Sequence, residues 1–368
     1  MSQLPRALSL LATTLLNVSC LFGKDRAPST PQDMNWHPNP APTMPAYSAE
    51  SRTDVVGSWD VFVTGSFIYW NPSQENMELG IVSDAGGQFV AIDGNVVNQD
   101  FDYGPGFQVG IGANLNRDNW DVFFQYTWFR NEDTTSTSLD PNGTTVLFPL
   151  RGQPDTQNIT FFSGNEEWRL SMDLFDLELA RSYYVGTVLT FRPFFGARSA
   201  LIRQDLDVDY RNEATGIIQP ENLFIDQESR SWAVGPRAGL NSSWMIGKGL
   251  RFFGNGSADI LFTKYSHLSW HQNGTTAAGV TIPKGLSIVE QHGANYLRCH
   301  LDLELGFGWG MYFANNRSHV DLSAGYSFQV FFAQNMFREF TDDITYHSLT
   351  PNGDLYIHGA RGTVRFDF

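Results

Sequence analysis

Cysteine is nearly missing. Cys20 and Cys299 are the only two in 368 residues, one in an N-terminal apolar run and the other in an alternating segment, so no disulfide framework is expected. No spacing of Cys and His suggests zinc. Lysine is scarce as well, four against twenty arginines. With a formal net charge of −15, the chain lacks the basic surplus through which proteins hold nucleic acid, and that function class is excluded. Long apolar runs are missing too. Beyond the N-terminal segment, no stretch reaches the roughly 18 unbroken apolar residues of a membrane helix. Convincing amphipathic helices are also absent.

The first residues, "MSQLPRALSLLATTLLNVSCLFGKD", place Arg6 before an apolar stretch that is too short to span a bilayer and is followed by small and polar residues. This reads as a secretory signal peptide over residues 1–23. A lipidated Cys20 is disfavoured, because Asn17 stands where a lipobox usually has Leu. Residues 24–54 are rich in Pro and read as an extended linker. The rest, 55–368, is one unit.

What is present is period-2 alternation with many aromatics, 29 Phe among them, and 34 Gly, a mix that favours strands and tight turns. In "LTFRPFFGARSAL", Leu189, Phe191, Phe195, Ala197 and Leu201 oppose Thr190, Arg192 and Arg198. The longest case is "YLRCHLDLELGFGWGMYF", where Leu297, Leu301, Leu303, Leu305, Phe307 and Trp309 oppose Arg298, His300, Asp302 and Glu304. A soluble sandwich would turn the apolar faces inward. The alternating runs are too long for that: several exceed the usual 5 to 6 residues and reach or pass the roughly 9 to 11 of a tilted membrane strand. Aromatic residues at strand ends (Tyr69, Trp70, Trp120, Trp128, Trp232, Trp244, Tyr312, Phe313) fit two interfacial girdles.

Short connections at 116–119, 182–187, 246–249 and 314–317 alternate with long polar stretches near 71–103, 131–166, 207–228, 266–293 and 333–352. Short turns alternating with long loops are the outer-membrane arrangement. The expected fold is therefore all-β: a transmembrane antiparallel up-and-down β-barrel of about ten strands, twelve remaining open, in the outer membrane of a Gram-negative-type bacterium. The phase of "WRLSMDLFDLELAR" changes between Leu174 and Phe175, which reads as a bulge. "MELGIV" (77–82) reads as a strand inside the first loop.

On this reading the charged faces line a lumen. The candidate lumen residues are Arg192, Arg198, Arg237, Arg251, Arg298, Arg361 and Arg365 with Asp121, Asp259, Asp302, Glu304 and Asp321. Asp60, Asp176 and Glu178 are further groups expected to face inward. Isolated charges in a narrow tube are costly, so pairing is expected. The network either seals the interior or lines a narrow diffusion path. Ten or twelve strands lie near the closed end of the barrel range, so any conductance is expected to be small. The chain ends on "RGTVRFDF", where Val364, Phe366 and Phe368 share the lipid-facing side of the last strand and resemble the signal read by outer-membrane assembly machinery. Acidic residues of the first loop, such as Glu75, Glu78 and Asp84, read as a solvated surface, with a cation vestibule or a divalent-bridged lipopolysaccharide contact as the sharper alternative.

Enzymatic readings are weaker. His300 and Asp302 share a face but lie near mid-strand rather than at a rim. His267 and His271 lie in an expected loop, where a spacing of four does not align metal ligands. "GFGWG" (306–310) continues a strand instead of opening a helix, so its glycines serve close packing rather than a nucleotide. No catalytic residue, metal or cofactor is expected. The expected partners are outer-membrane lipid, lipopolysaccharide and the assembly machinery, with homo-oligomerisation left open.

Four segments carry a family resemblance: "GSFIYWNPSQENMELG", "GFQVGIGANLNRDNWDVFFQYTWF", "LFDLELARSYYVGTVLTFRPFFGAR" and "VGPRAGLNSSWMIGKGLRFFGNGSA". They resemble the pore-forming outer membrane proteins of the Legionella major-outer-membrane-protein type, which have relatives among chlamydia-like bacteria. The resemblance runs in order over residues 55–368, and the pattern W-D-x-x-x-x-Y-T-W-F after a tight turn is its most specific part. It implies a porin-like outer-membrane barrel and supplies no catalytic residues. The alternative function is a structural or adhesive barrel with a sealed lumen and surface-exposed binding loops.

Overall fold

The computed structural model describes residues 51, 53, 55, 60–84, 93–115, 120–152, 160–212, 220–276, 286–338 and 352–368. The expected leader, most of the Pro-rich linker and the turn at 116–119 lie outside them.

Fifteen strands follow one another: β1 (Val61–Gln74), β2 (Glu78–Asp84), β3 (Gly94–Asn98), β4 (Gly104–Asn114), β5 (Trp120–Ser138), β6 (Thr145–Pro149), β7 (Ser163–Arg181) and β8 (Tyr183–Val185), then β9 (Leu189–Arg211), β10 (Pro220–Gly247), β11 (Leu250–Thr276), β12 (Leu286–Gln291), β13 (Ala294–Phe313), β14 (Ser318–Phe331) and β15 (Leu355–Asp367). Ten of them, β1, β4, β5, β7, β9, β10, β11, β13, β14 and β15, form one antiparallel sheet that closes on itself. The closure runs through β1, which pairs with β15 on one side and β4 on the other. The short β8 and β12 add to its ends, against β9 and β11. The fold is the expected ten-stranded barrel, and the last strand completes it.

Turn chemistry explains the tight end. Between β10 and β11, Gly247, Lys248 and Gly249 all have positive φ, and between β13 and β14 so do Ala314, Asn315 and Asn316. Gly and Asn tolerate that region best, and such turns match the twist of a hairpin.

At the other end the strands run far beyond the length a bilayer requires. Much of what the sequence presents as polar loop is strand: β9 continues to Arg211, β10 starts at Pro220 and β11 continues to Thr276. The reason lies in the side chains. Along β9 the odd positions face outward throughout. Phe195 and Leu201 are exposed and apolar, whereas Arg203, Asp205, Asp207 and Asp209 follow on the same face. The even positions face inward and change in the opposite sense, from Arg192 and Arg198 to the buried Ile202, Leu206, Val208 and Tyr210. The barrel is apolar outside and charged inside over one zone, and charged outside and apolar inside over the next. The first zone matches lipid and the second water.

This inversion corrects the bulge expected in β7. Its pairing with β5 and β9 carries no register shift through Leu174 and Phe175. Trp168, Leu170, Met172 and Leu174 face inward and are buried, and Asp176 and Glu178 continue the same inward row. The phase of hydrophobicity changes because the surroundings change, while the phase of the strand is constant.

A second, three-stranded sheet, β3-β2-β6, sits against the inner wall of the water-side zone. The expected strand at 77–82 is its central member. Met77 and Leu79, Leu147 of β6, and Phe161 pack with Trp168, Leu170, Tyr210, Leu223 and Trp270 of the wall in one apolar cluster. The Tyr210 hydroxyl donates to the Leu79 carbonyl at 2.5 Å, and Gln204 Nε2 donates to Gln74 Oε1 at 2.5 Å. Each large side chain removed from water here contributes about 1.5–3 kcal/mol. Trp70, expected in an aromatic girdle, belongs to this interior and is 1% exposed. Tyr69, Trp232 and Trp244 do face outward.

The barrel lumen as candidate functional site

Because each strand keeps its parity through the lipid-facing level, and β11 shifts register only above it, beyond Tyr265, the lumen there is a set of inward rows brought together from distant parts of the chain. Arg198 of β9 is its hub. Its Nε donates to Asp176 Oδ1 at 2.5 Å and its Nη2 to Asp176 Oδ2 at 2.8 Å, a bidentate pair between adjacent strands. Nη1 lies 3.1 Å from Asp259 Oδ2, and Nη2 lies 3.9 Å from Asp302 Oδ2. Arg237 of β10 reaches the same two carboxylates, each at 3.4 Å. His300 completes the group, with Nδ1 2.7 Å from Asp259 Oδ2 and 2.9 Å from Arg198 Nη1. Arg198, Asp259 and His300 are buried almost completely.

Nearer the short-turn end, Arg192 Nη2 pairs with Asp121 at 2.5 Å and Nη1 with Glu178 at 2.9 Å. Arg251 forms a fork with Asp321, one arm at 2.6 Å. The space for it comes from Gly308, where a Cβ would lie 2.7 Å from the guanidinium carbon. The glycines of "GFGWG" thus make room for lumen side chains. Arg361 pairs with Glu304 at 3.3 Å, and Asn255 Nδ2 donates to the same carboxylate oxygen at 2.9 Å. Arg365 pairs with Asp367 at 2.6 Å while stacked 3.7 Å over the Phe62 ring, and His319 Nδ1 lies 3.1 Å from Asp367. A cavity of about 200 Å³ runs among these groups, lined also by Gln108, Gln125, Asn241, Asn255 and Gln329.

The structure places all twelve candidate lumen residues on inward rows. Eleven enter the ion-pair network, while Arg298 stands apart, stacked 4.4 Å over the Tyr296 ring with Nη2 3.6 Å from Met336 Sδ. Asp176 and Glu178 join the network too, their even numbering aligning them with Leu174 on one inward row. Asp60 lies just before β1, with a φ of 58°. Two further members, His300 and Asp367, lie on the same inward rows. His300 shares its face with Asp302, yet its partner is Asp259 on the neighbouring strand, a cross-strand relation that no local spacing encodes. Asp367 stands between the outward Phe366 and Phe368 and shares the inward row of Arg361 and Arg365, as the alternation of the last strand implies.

Above this network stands the apolar cluster, and beside it lies a buried ion pair. Arg151 Nη2 lies 3.6 Å from Glu166 Oε1, with both side chains fully buried, and another bond from Nη2 goes to the Asn76 carbonyl at 3.0 Å. Neither Glu166 oxygen accepts a hydrogen bond among the described residues. Burial pushes the Glu166 carboxyl up to about 7, against the pull of Arg151 and with a further push from Glu78. Outside the barrel, His267 and His271 belong to strand β11 rather than a loop, and each lies near a glutamate, Glu228 at 3.6 Å and Glu290 at 3.7 Å. No group of three metal-ligand side chains occurs among the described residues.

A family model described as the Legionella pneumophila major outer membrane protein precursor matches residues 54–367. No curated protein matches the chain. Among solved structures, the chain is similar to the outer membrane protease OmpT from Escherichia coli, at 9% identity over 86% of this chain and 100% of that one, with a TM-score of 0.41. It is also similar to a major outer membrane protein from Thermus thermophilus, at 10% identity over 84% and 99%, with a TM-score of 0.29. A third is the Pseudomonas putida toluene transporter TodX, at 10% identity over 84% and 90%, with a TM-score of 0.28.

Proposed function

Because the chain belongs to the Legionella pneumophila major outer membrane protein family, we propose that this outer-membrane barrel passes small ions or solutes passively through its charged lumen. The apolar cluster above the lumen acts as the closed gate. One observation carries the reading: the same ten strands are filled with apolar side chains where they leave the membrane, yet enclose charge and a cavity of about 200 Å³ where they cross it. Buried ion pairs are a poor source of stability, since desolvation offsets much of their attraction. A barrel built only to be stable would continue its apolar filling downward. In the ion-pair network, six guanidinium groups (Arg192, Arg198, Arg237, Arg251, Arg361, Arg365) face eight carboxylates (Asp121, Asp176, Glu178, Asp259, Asp302, Glu304, Asp321, Asp367). The excess of negative charge favours cations.

The test is single-channel recording of the purified chain in planar bilayers across a salt gradient. The expected result is small steps with a reversal potential on the cation side, and larger or more frequent steps when residues 77–98, which carry β2 and β3, are replaced by a short Gly/Ser linker. Silence from both proteins over a wide salt range, each folded by its heat-dependent gel mobility, would overturn the reading.

The near-complete burial of Arg198, Asp259 and His300 favours a second reading. In it the lumen is sealed, and the long connections serve the envelope or an external surface. That silence is its expected result. Neither reading assigns a reaction to the lumen. The outward row of Val364, Phe366 and Phe368 at the end of β15 is proposed as the signal that the assembly machinery reads.

A further inference from the structure

The outer wall carries a charge arrangement that the lumen does not explain. Arg203 of β9 and Arg230 of β10 stand directly opposite each other, both facing outward. Like charges in that relation destabilise a sheet. Arg230 has a partner in Glu228, but Arg203 makes no hydrogen bond or ion pair among the described residues. Lys264 of β11 stands opposite Trp232, the next outward residue of β10 after Arg230, and it too lacks a partner among the described residues. Two unpartnered cations and a third thus sit together on three adjacent strands.

Their height on the wall is the second observation. Directly below them on the same strands lie Leu201, Trp232 and Phe262, all exposed, with the Trp232 and Phe262 rings in edge contact at 6.1 Å. These are the last outward apolar residues of β9, β10 and β11 before the water-side zone. The cations therefore occupy the first polar row above the hydrocarbon, where lipid phosphates lie, and Trp232 is placed as an interfacial aromatic. In the next two rows up the sign reverses: Asp205 stands opposite Glu228, and above them Asp207 opposite Asp226. An anion is thus welcome at one depth only.

We propose that Arg203, Arg230 and Lys264, above Trp232, form a binding site for the phosphorylated headgroup of a glycolipid in the outer leaflet, whose acyl chains lie along Leu201, Trp232 and Phe262. Arginine suits this role because its fork donates two parallel hydrogen bonds to a phosphate. The long-connection end of the barrel, where the site lies, is the cell-surface end in outer-membrane barrels, and that leaflet carries phosphorylated glycolipid.

The experiment measures binding of diphosphorylated lipid A to the full chain in detergent micelles by native mass spectrometry. It compares the wild type with the triple variant Arg203→Gln, Arg230→Gln, Lys264→Gln and with Arg317→Gln in a turn at the opposite end. The expected result is a loss of at least about tenfold in affinity for the triple variant, the size of one lost charge-assisted bond or more, with Arg317→Gln unchanged. Dephosphorylated lipid should bind as weakly to the wild type, and inorganic phosphate at the same concentration should not compete. Thermal unfolding in lipid-free detergent gives a separate readout: Arg203→Gln alone should raise the midpoint by relieving repulsion, and added lipid A should raise the wild-type midpoint more than that of the variant. Equal binding by wild type and triple variant, equal binding of the dephosphorylated lipid, or displacement by inorganic phosphate would each overturn the proposal.

Discussion

At the scale of single residues, the lumen is governed by the cost of leaving one charge without its partner. Arg198 is 3% exposed and is shared by Asp176, Asp259 and His300. Removing it leaves Asp176 without its ion-pair partner in a confined space and takes one of three partners from Asp259. Arg198→Ala is expected to destabilise the barrel by about 3–5 kcal/mol. The joint change Arg198→Met with Asp176→Leu removes both members of the tightest pair and should cost clearly less. Unfolding followed by loss of the heat-dependent gel shift distinguishes the two; equal losses would show that the stranded Asp176 carboxylate is not the source of the cost. These contacts were legible in the sequence as a list of inward charges, because alternation alone assigns a face. The partners were not, since pairs such as Asp259 with His300 depend on cross-strand register, which local pattern does not fix.

At the scale of elements, the sequence carries more than hydrophobic alternation discloses on first reading. Parity was recoverable, and with it the ten strands and the inward faces. The extent of the strands was not, because in β7, β9 and β10 the identity of the outward face changes from apolar to charged while parity is kept. A reader who assumes that apolar always means outward sees a bulge at Leu174 and a loop beyond Leu201. Physically, both mark where strand leaves lipid for water. The three-stranded inner sheet follows from the same change, since a barrel with an apolar interior needs apolar filling, and Leu79 and Leu147 provide it.

The seating of that inner sheet should depend on pH through Glu166. Its folded value of about 7 lies above the ordinary 4.5. The proton is therefore held more tightly in the folded state. The contribution of this group is full below about 4.5, declines as pH rises, and is lost once pH passes about 7. Limited proteolysis within residues 77–152 should be faster at pH 8 than at pH 5, and Glu166→Gln should flatten the difference. The opposite slope would mean that the Arg151 pairing outweighs burial.

At the scale of the whole molecule, the barrel is two tubes in series built from one set of strands. The lower tube puts hydrocarbon-compatible residues such as Phe195, Leu303 and Phe307 outside and ion pairs inside. The upper tube puts Asp205, Asp207 and Arg203 outside and an apolar core inside. The proposed site for a phosphorylated glycolipid and the proposed gate both stand at or above the junction, while the proposed diffusion path lies below it. The position of that junction is thus the claim on which the others depend. Spin labels placed one at a time along β9 from Phe191 to Asp209, in a chain whose cysteines are replaced by serine and reconstituted in lipid, test it most directly. Accessibility to oxygen reports lipid, and accessibility to a water-soluble nickel chelate reports solvent. Odd positions should be accessible to oxygen through Leu201 and to nickel from Arg203 onward, and even positions should be shielded from both reagents over the water-side stretch. A shift of the accessible positions from odd to even between Leu201 and Asp205, or nickel access at Ile202, Leu206 and Val208, would contradict it.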